Sequence, residues 1–144
     1  MNVPEPDEAT QAWWDATREG RLLVQACTAC GHTQHPPRTL CTGCGSTGDL
    51  THREAVGTGV VDACTVVMRS PGADHEPPYV VARIRLPEGV VVISNVETDE
   101  PGSVAIGDPV DLAWRPLDDG RALPVFRPAT TTASTATAAS TEEN

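Results

Sequence analysis

The sequence predicts a mostly β protein organised around a metal-binding ribbon, and three observations carry that prediction. Two C-x-x-C pairs stand ten residues apart, at Cys27/Cys30 and Cys41/Cys44. Five segments rich in β-branched residues follow them, separated by Gly, Pro and Asp. Helical periodicity is confined to a short stretch near the amino terminus.

That helix is predicted over residues 8–19. Ala9, Ala12, Trp13 and Ala16 fall at i, i+3, i+4 and i+7, Asp7 is placed to cap its start and Gly20 to end it. Of the adjacent Trp13 and Trp14, one ring is expected to pack and the other to be half exposed. So short a helix is marginal alone and needs a surface to dock on, from this chain or from a partner.

The ribbon is assigned to residues 22–53, with Leu22, Leu23 and Val24 leading into the first knuckle as a short strand. The knuckles read Cys27-Thr-Ala-Cys30-Gly31-His32 and Cys41-Thr-Gly-Cys44-Gly45-Ser46. A two-residue gap lets both sulfurs of one turn face a single point, and the longer spacer brings the second turn round to complete a tetrahedron. Gly31 and Gly45 stand where the chain must turn with positive φ. With few apolar residues between the cysteines, the segment needs a metal in order to fold. Two disulfides, a redox-active dithiol and a rubredoxin-like iron site compete with this reading. A reducing compartment and the repeated small-residue context favour ligation of zinc. Cys27, Cys30, Cys41 and Cys44 are therefore expected to hold one structural Zn2+. Four thiolates leave no open position for water or substrate, so hydrolytic zinc chemistry is not expected.

Residues 54–128 are assigned to a barrel or antiparallel meander of five strands, at 60–69, 79–86, 90–97, 109–115 and 122–126, because no connection has room for a crossover helix. In the second strand Val80, Ala82, Ile84 and Leu86 make one face, and Val81, Arg83 and Arg85 the other. The third is apolar on both faces, with Val91 and Ile93 opposite Val90, Val92 and Val96. Such a strand is either covered on both sides or contributes to an interface. Asp118-Asp119-Gly120 reads as a hairpin turn. Residues 129–144, rich in Thr, Ala and Ser, are expected to be a disordered tail, and residues 1–21 carry the helix.

Charge narrows the function classes. The 144-residue chain has a formal net charge of −10, with ten arginines and no lysine, which argues against non-specific affinity for nucleic acid. No apolar run approaches the roughly 20 residues of a membrane span, and MNVPEPDEAT lacks a signal peptide's basic and apolar regions. No membrane association is therefore expected, and the cytoplasm is the expected compartment. Cys64, inside the first barrel strand, is expected to be a small core residue, and His32, His35, His52 and His75 to be solvated loop histidines. No nucleophile–base pair, phosphate-binding glycine loop or carboxylate pair stands out.

The order helix, C-x-x-C-G, Pro36-Pro37-Arg38, C-x-x-C-G and five-stranded barrel resembles the zinc-ribbon/OB-fold proteins of domain-of-unknown-function family 35. The matching stretches are Trp14-Asp-Ala-Thr-Arg-Glu-Gly-Arg-Leu, Gly57-Thr-Gly-Val-Val, Pro77-Pro-Tyr-Val-Val-Ala, Ile106-Gly-Asp-Pro-Val and Leu123-Pro-Val-Phe-Arg-Pro. At the position before Thr65, where relatives carry an aromatic residue, this chain has Cys64. The resemblance implies a rubredoxin-like zinc ribbon followed by an OB-fold barrel. It also implies a non-catalytic accessory subunit of a thiolase-like complex (thiolase, aldolase or acyltransferase) acting on acyl-CoA at a shared site, with a thiolase-fold protein as partner. CoA phosphates would call on arginines, and Arg38, Arg83 and Arg85 are the candidates. A stand-alone acyl-CoA or regulatory binding module is the alternative. Single-stranded nucleic-acid binding is a minor one, because it needs a basic groove with aromatic platforms.

Overall fold

In a computed structural model of the chain, residues 3–70, 72 and 76–130 are described. All but the first two residues of the expected tail lie outside them, as does His75. The elements run α1 (Gln11–Arg18), β1 (Leu23–Cys27), β2 (Thr33–Gln34), β3 (Leu50–Glu54), β4 (Thr58–Val67), β5 (Tyr79–Arg85), β6 (Val91–Val96), a 3-10 turn (Pro101–Ser103), β7 (Pro109–Pro116) and β8 (Ala122–Pro128). The first three strands form a sheet in the order β2-β1-β3, and the other five close into a barrel, β4-β5-β6-β8-β7.

Helix α1 ends before Gly20 as expected but starts at Gln11, later than the expected residue 8, with Thr10 at its N-cap after a turn over residues 8–10. Asp7 and Thr10 cap each other: the Asp7 carboxylate accepts the Thr10 N–H at 2.9 Å, and Thr10 Oγ1 accepts the Asp7 N–H at 3.0 Å. Gly20, at φ +69°, lets the Arg21 N–H return to the Ala16 carbonyl at 3.0 Å. The buried face differs from the one the periodicity suggested. Both indoles are buried, at 8% and 7% exposure, together with Ala16 and Thr17, while Ala12 faces solvent. The reason lies about 100 residues downstream, in the β7–β8 hairpin. Arg121, only 5% exposed, lays its guanidinium over the Trp14 ring at 4.6 Å, donates to Asp119 at 2.6 Å and reaches the Pro4 carbonyl at 2.8 Å. The Thr17 hydroxyl accepts the Ala122 N–H at 3.2 Å. The docking surface for the helix is therefore this chain's own.

The barrel follows the alternation in its strands. Val80, Ala82, Ile84 and Leu86 are buried, Arg83 and Arg85 exposed. Phe126 is fully buried, in one core cluster with Val61 and Val110. The expected turn at Asp118–Gly120 joins β7 to β8, with the Gly120 N–H on the Leu117 carbonyl at 3.1 Å. Cys64 is half-buried, not a core residue: past the bulge between Val61 and Ala63 it packs on the core's edge, its Sγ 3.6 Å from the Val104 carbonyl. On β6 the fold covers one face only, leaving Ile93 75% exposed.

Gly57 and Gly59 serve different ends in the same short motif. Gly57 holds φ +87° where the chain enters β4. Gly59 is buried, and a Cβ there would run into Ile84 Cγ2 and come within 3.3 Å of the Arg85 carbonyl and of Leu86. Gly59→Ala is expected to destabilise the barrel by about 1–3 kcal/mol through overpacking, read as a lower denaturant midpoint at unchanged m-value, whereas Gly48→Ala, which meets nothing within 4 Å, leaves the midpoint where it is.

Candidate metal centre

The two knuckles are built alike. Gly31 donates to the Cys27 carbonyl at 2.9 Å and Gly45 to the Cys41 carbonyl at 2.8 Å. Cys27 donates to the His32 carbonyl at 2.9 Å and Cys41 to the Ser46 carbonyl at 2.8 Å. Each turn thereby aims two sulfurs at one point. The four Sγ atoms lie within 4.8 Å of one another, with Cys27–Cys44 at 3.7 Å and Cys30–Cys41 at 3.6 Å. A tetrahedron with bonds of about 2.3 Å has edges of roughly 3.8 Å, so the donor set fits one tetrahedral, thiolate-bound Zn2+. Cys27 and Cys41 are buried; Cys30 and Cys44 are exposed.

The protonation chemistry of the thiols agrees. Cys41 is drawn down to about 6, first by the backbone N–H of Cys44. At Cys30 the His32 N–H favours the thiolate, but desolvation and the neighbouring sulfurs outweigh it and push that thiol up to about 12. Ligation requires all four sulfurs as thiolates, so metal binding is coupled to proton release.

A polar core, which no local pattern announced, positions the second knuckle. Gln34 is buried, donates to Gln25 Oε1 at 2.6 Å and to the Leu40 carbonyl at 3.0 Å, and accepts the Thr42 N–H at 2.8 Å. Gln25 spans the spacer by donating to the Arg38 carbonyl at 2.9 Å and accepting the Arg38 N–H at 2.9 Å. These two amides fold the spacer back so that Cys41 and Cys44 meet Cys27 and Cys30. The ribbon joins the barrel through Thr33 Oγ1 on the Glu88 carbonyl at 3.0 Å and the Ala55 N–H on the Leu22 carbonyl at 2.8 Å.

The candidate arginines are not gathered into one cluster. Arg38 sits in the ribbon spacer with its side chain exposed. Arg83 and Arg85 project from the outer face of β5, where both engage Asp62. Three adjoining cavities mark a different line across the molecule. One of about 540 Å³ at the barrel's end includes Asn95, Arg115 and Arg127. One of about 220 Å³ between β6 and β8 shares Asn95 and Arg115 with it and adds Trp13 and His35. A third of about 370 Å³ continues from Trp13 and His35 to Pro36 and Pro37. Trp13 Nε1 and His35 Nδ1 are buried there without a protein partner among the described residues. His35 is thus no solvated loop histidine: it packs near Trp13, ring centres 5.9 Å apart, and burial lowers it to about 4.

Two outcomes follow. Cys41→Ser should release the metal and unfold the ribbon, residues 22–50, because binding and folding energy are one quantity in so small a site; retained metal stoichiometry with native ribbon amide shifts would contradict it. For His35 the folded pKa lies below its unfolded value near 6.5, so its neutral form stabilises the fold fully above pH 6.5 and that contribution is lost as pH falls toward 4. Between pH 7 and pH 5 the loss is about 2 kcal/mol. Denaturant titrations at the two pH values should show His35→Leu less acid-sensitive than the wild type by that amount, and equal sensitivity would contradict the assignment.

Comparison with known proteins places these features in a family. The ChsH2 rubredoxin-like zinc ribbon domain matches residues 14–51 and the ChsH2 C-terminal OB-fold domain matches residues 52–115. The chain is 42% identical over 117 residues, 81% of its length, to the probable enoyl-CoA hydratase alpha subunit of Thermomonospora curvata, and it spans only 36% of that relative. It is 30% identical over 110 residues to a DUF35 domain-containing scaffold protein of Methanothermobacter thermautotrophicus, covering 75% of this chain and 82% of that one. Among solved structures it is similar to a chain of the Ltp2-ChsH2(DUF35) aldolase, with TM-score 0.79 and 39% identity over 88% of this chain and 98% of that one. A DUF35 protein of unknown function from Sulfolobus solfataricus shares the fold at TM-score 0.57 and 19% identity, over 73% and 77% of the two chains. With ribbon and barrel matched in order along residues 14–115, the chain belongs to the DUF35 family of zinc-ribbon/OB-fold proteins.

Proposed function

We propose that this chain is a non-catalytic accessory subunit of a thiolase-like enzyme, a thiolase, aldolase or acyltransferase, acting on an acyl-CoA thioester. The observation that carries the reading is the likeness, at 39% identity and over 98% of that chain's length, to a chain of the Ltp2-ChsH2(DUF35) aldolase. The site chemistry supports it. A centre of four thiolates gives zinc no vacant position at which to polarise a carbonyl or ionise a water, so its service is to hold the ribbon's shape. The metal, when bound, supplies cross-linking; the chain's own residues supply a surface.

The line of cavities suits an elongated ligand. It runs from the guanidiniums of Arg115 and Arg127 past Asn95 to the indole N–H of Trp13, a buried donor that an amide or thioester oxygen would satisfy. Of the arginines expected to meet CoA phosphates, Arg38 adjoins Pro36 and Pro37 of that line, whereas Arg83 and Arg85 stand on the outer face of β5, away from it. The phosphate contact is therefore assigned to Arg38, near the ribbon end of that line.

Co-expression with the thiolase-fold enzymes of its source organism, followed by assay of acyl-CoA turnover, tests the reading. The expected result is a stable complex whose activity falls at least tenfold when this chain is omitted, and in which Arg38→Ala raises KM for the thioester with little change in kcat. A monomer that leaves every such enzyme unaffected would overturn it. A thermal shift of the isolated chain with acyl-CoA, in that case, would favour the stand-alone binding module.

A further inference from the structure

The outer face of the barrel holds a second feature, which adjoins the cavity line at Ile93 and Asn95 and extends away from it over β4 and β5. Register places Ala63, Arg83 and Ile93 in one row across β4, β5 and β6, with Thr65, Val81 and Asn95 in the next row and Val60, Arg85 and Val91 on the other side. Inward residues of these strands fill the core, so the outward rows are free of it. Ile93 is 75% exposed there, and beside it lies a shallow hollow of about 300 Å³ lined by Ala63, Cys64, Thr65, Val81, Arg83 and Ile93. The hollow is open to solvent and its lining is almost wholly apolar, which suits one apolar side chain from outside.

Charge marks what that occupant must carry. Asp62 lies 3.4 Å from Arg83 Nη2 and also engages Arg85, so one carboxylate stands against two guanidiniums. A chain of net charge −10 thus concentrates a spare positive charge beside its exposed isoleucine. Asp62 occupies only part of the ten N–H donors the two forks offer, and it holds them in place before any contact forms. A second copy of the chain is a poor fit. A two-fold contact through this patch would set the same arginines against each other, between two bodies that repel through their net charge.

We infer that the β4–β5–β6 face is the docking surface for the partner enzyme, with Ile93 as its anchor, the hollow taking an apolar side chain of the partner, and Arg83 and Arg85 pairing with carboxylates around that side chain. This rests on the reading above that a thiolase-fold partner exists. It gives the two arginines a protein partner in place of a phosphate, and it accounts for a strand whose second apolar face the fold leaves uncovered. Aromatic and arginine contacts inside a desolvated rim are where binding energy concentrates in such interfaces.

Calorimetric titration of the full zinc-loaded chain against the co-expressed thiolase-fold enzyme decides the matter. Ile93→Asp should weaken binding by about 30-fold or more, while Ile93→Val changes it little. The double variant Arg83→Glu/Arg85→Glu should slow association and flatten its dependence on salt. Both sites are exposed, so melting temperature and zinc content should equal those of the wild type, which separates loss of docking from loss of fold. Wild-type affinity in Ile93→Asp overturns the docking face while leaving the partner itself in place. An Ile93→Asp substitution that converts a dimer of this chain into a monomer overturns it too, in favour of a contact between copies. Absence of binding by the wild-type chain removes the function reading and this surface together.

Discussion

Four thiolates converging on one dication set the frame for everything else in this protein. The ribbon offers little apolar surface outside β1, and a segment of that size does not hold its shape by burial alone. A structural zinc site contributes about 10–16 kcal/mol to the folding of such a unit, an amount no set of surface ion pairs could replace. Once the sulfurs of Cys27, Cys30, Cys41 and Cys44 are drawn together, the spacer between the knuckles has a fixed path, and the buried amides of Gln25 and Gln34 bind that path down. His35, Pro36 and Pro37 are carried on it to the helix, where they complete the cavity beside Trp13.

A second constraint joins the pieces. Arg121 is a buried cation whose charge is answered by Asp119 and by the face of Trp14, and whose remaining reach goes to the Pro4 carbonyl. Burying a guanidinium without such partners is costly. With them, the β7–β8 hairpin becomes a clasp over α1, and a helix of 8 residues, too short to persist alone, acquires a defined place. Ribbon, helix and barrel are thereby presented as one platform, with its outward β4–β5–β6 face intact.

Local chemistry was legible in the sequence wherever spacing alone decides the outcome. The C-x-x-C repeat named its ligands, the period-two pattern of Val80, Ala82, Ile84 and Leu86 named the inward face of β5, and Asp118-Asp119-Gly120 named the turn. The double-sided apolar character of β6 allowed either cover on both sides or an interface, and the fold leaves Ile93 uncovered. What stayed hidden depends on residues distant in the chain. The helix's buried face could not be read from Ala9, Ala12, Trp13 and Ala16, because Arg121 decides it. His35 looked like a loop histidine because nothing nearby reveals that an indole and a barrel strand will close over it. Gln25 and Gln34 look like ordinary strand polar residues until their amides are seen spanning the spacer. Cys64 has the inward parity of its neighbour Ala82, yet the bulge ahead of it carries the strand toward the barrel's edge.

On the proposed function labour is divided: the metal holds shape, the chain presents surface, and bond-making chemistry belongs to another protein. X-ray absorption at the zinc edge tests that division most directly, on the purified chain and again with the partner enzyme and an acyl-CoA added. The account predicts four sulfur scatterers at about 2.3 Å, unchanged by either addition. An oxygen or nitrogen scatterer in the first sphere, or a coordination shell that alters when the thioester arrives, would contradict it, because the metal would then have an open position and a part in the reaction.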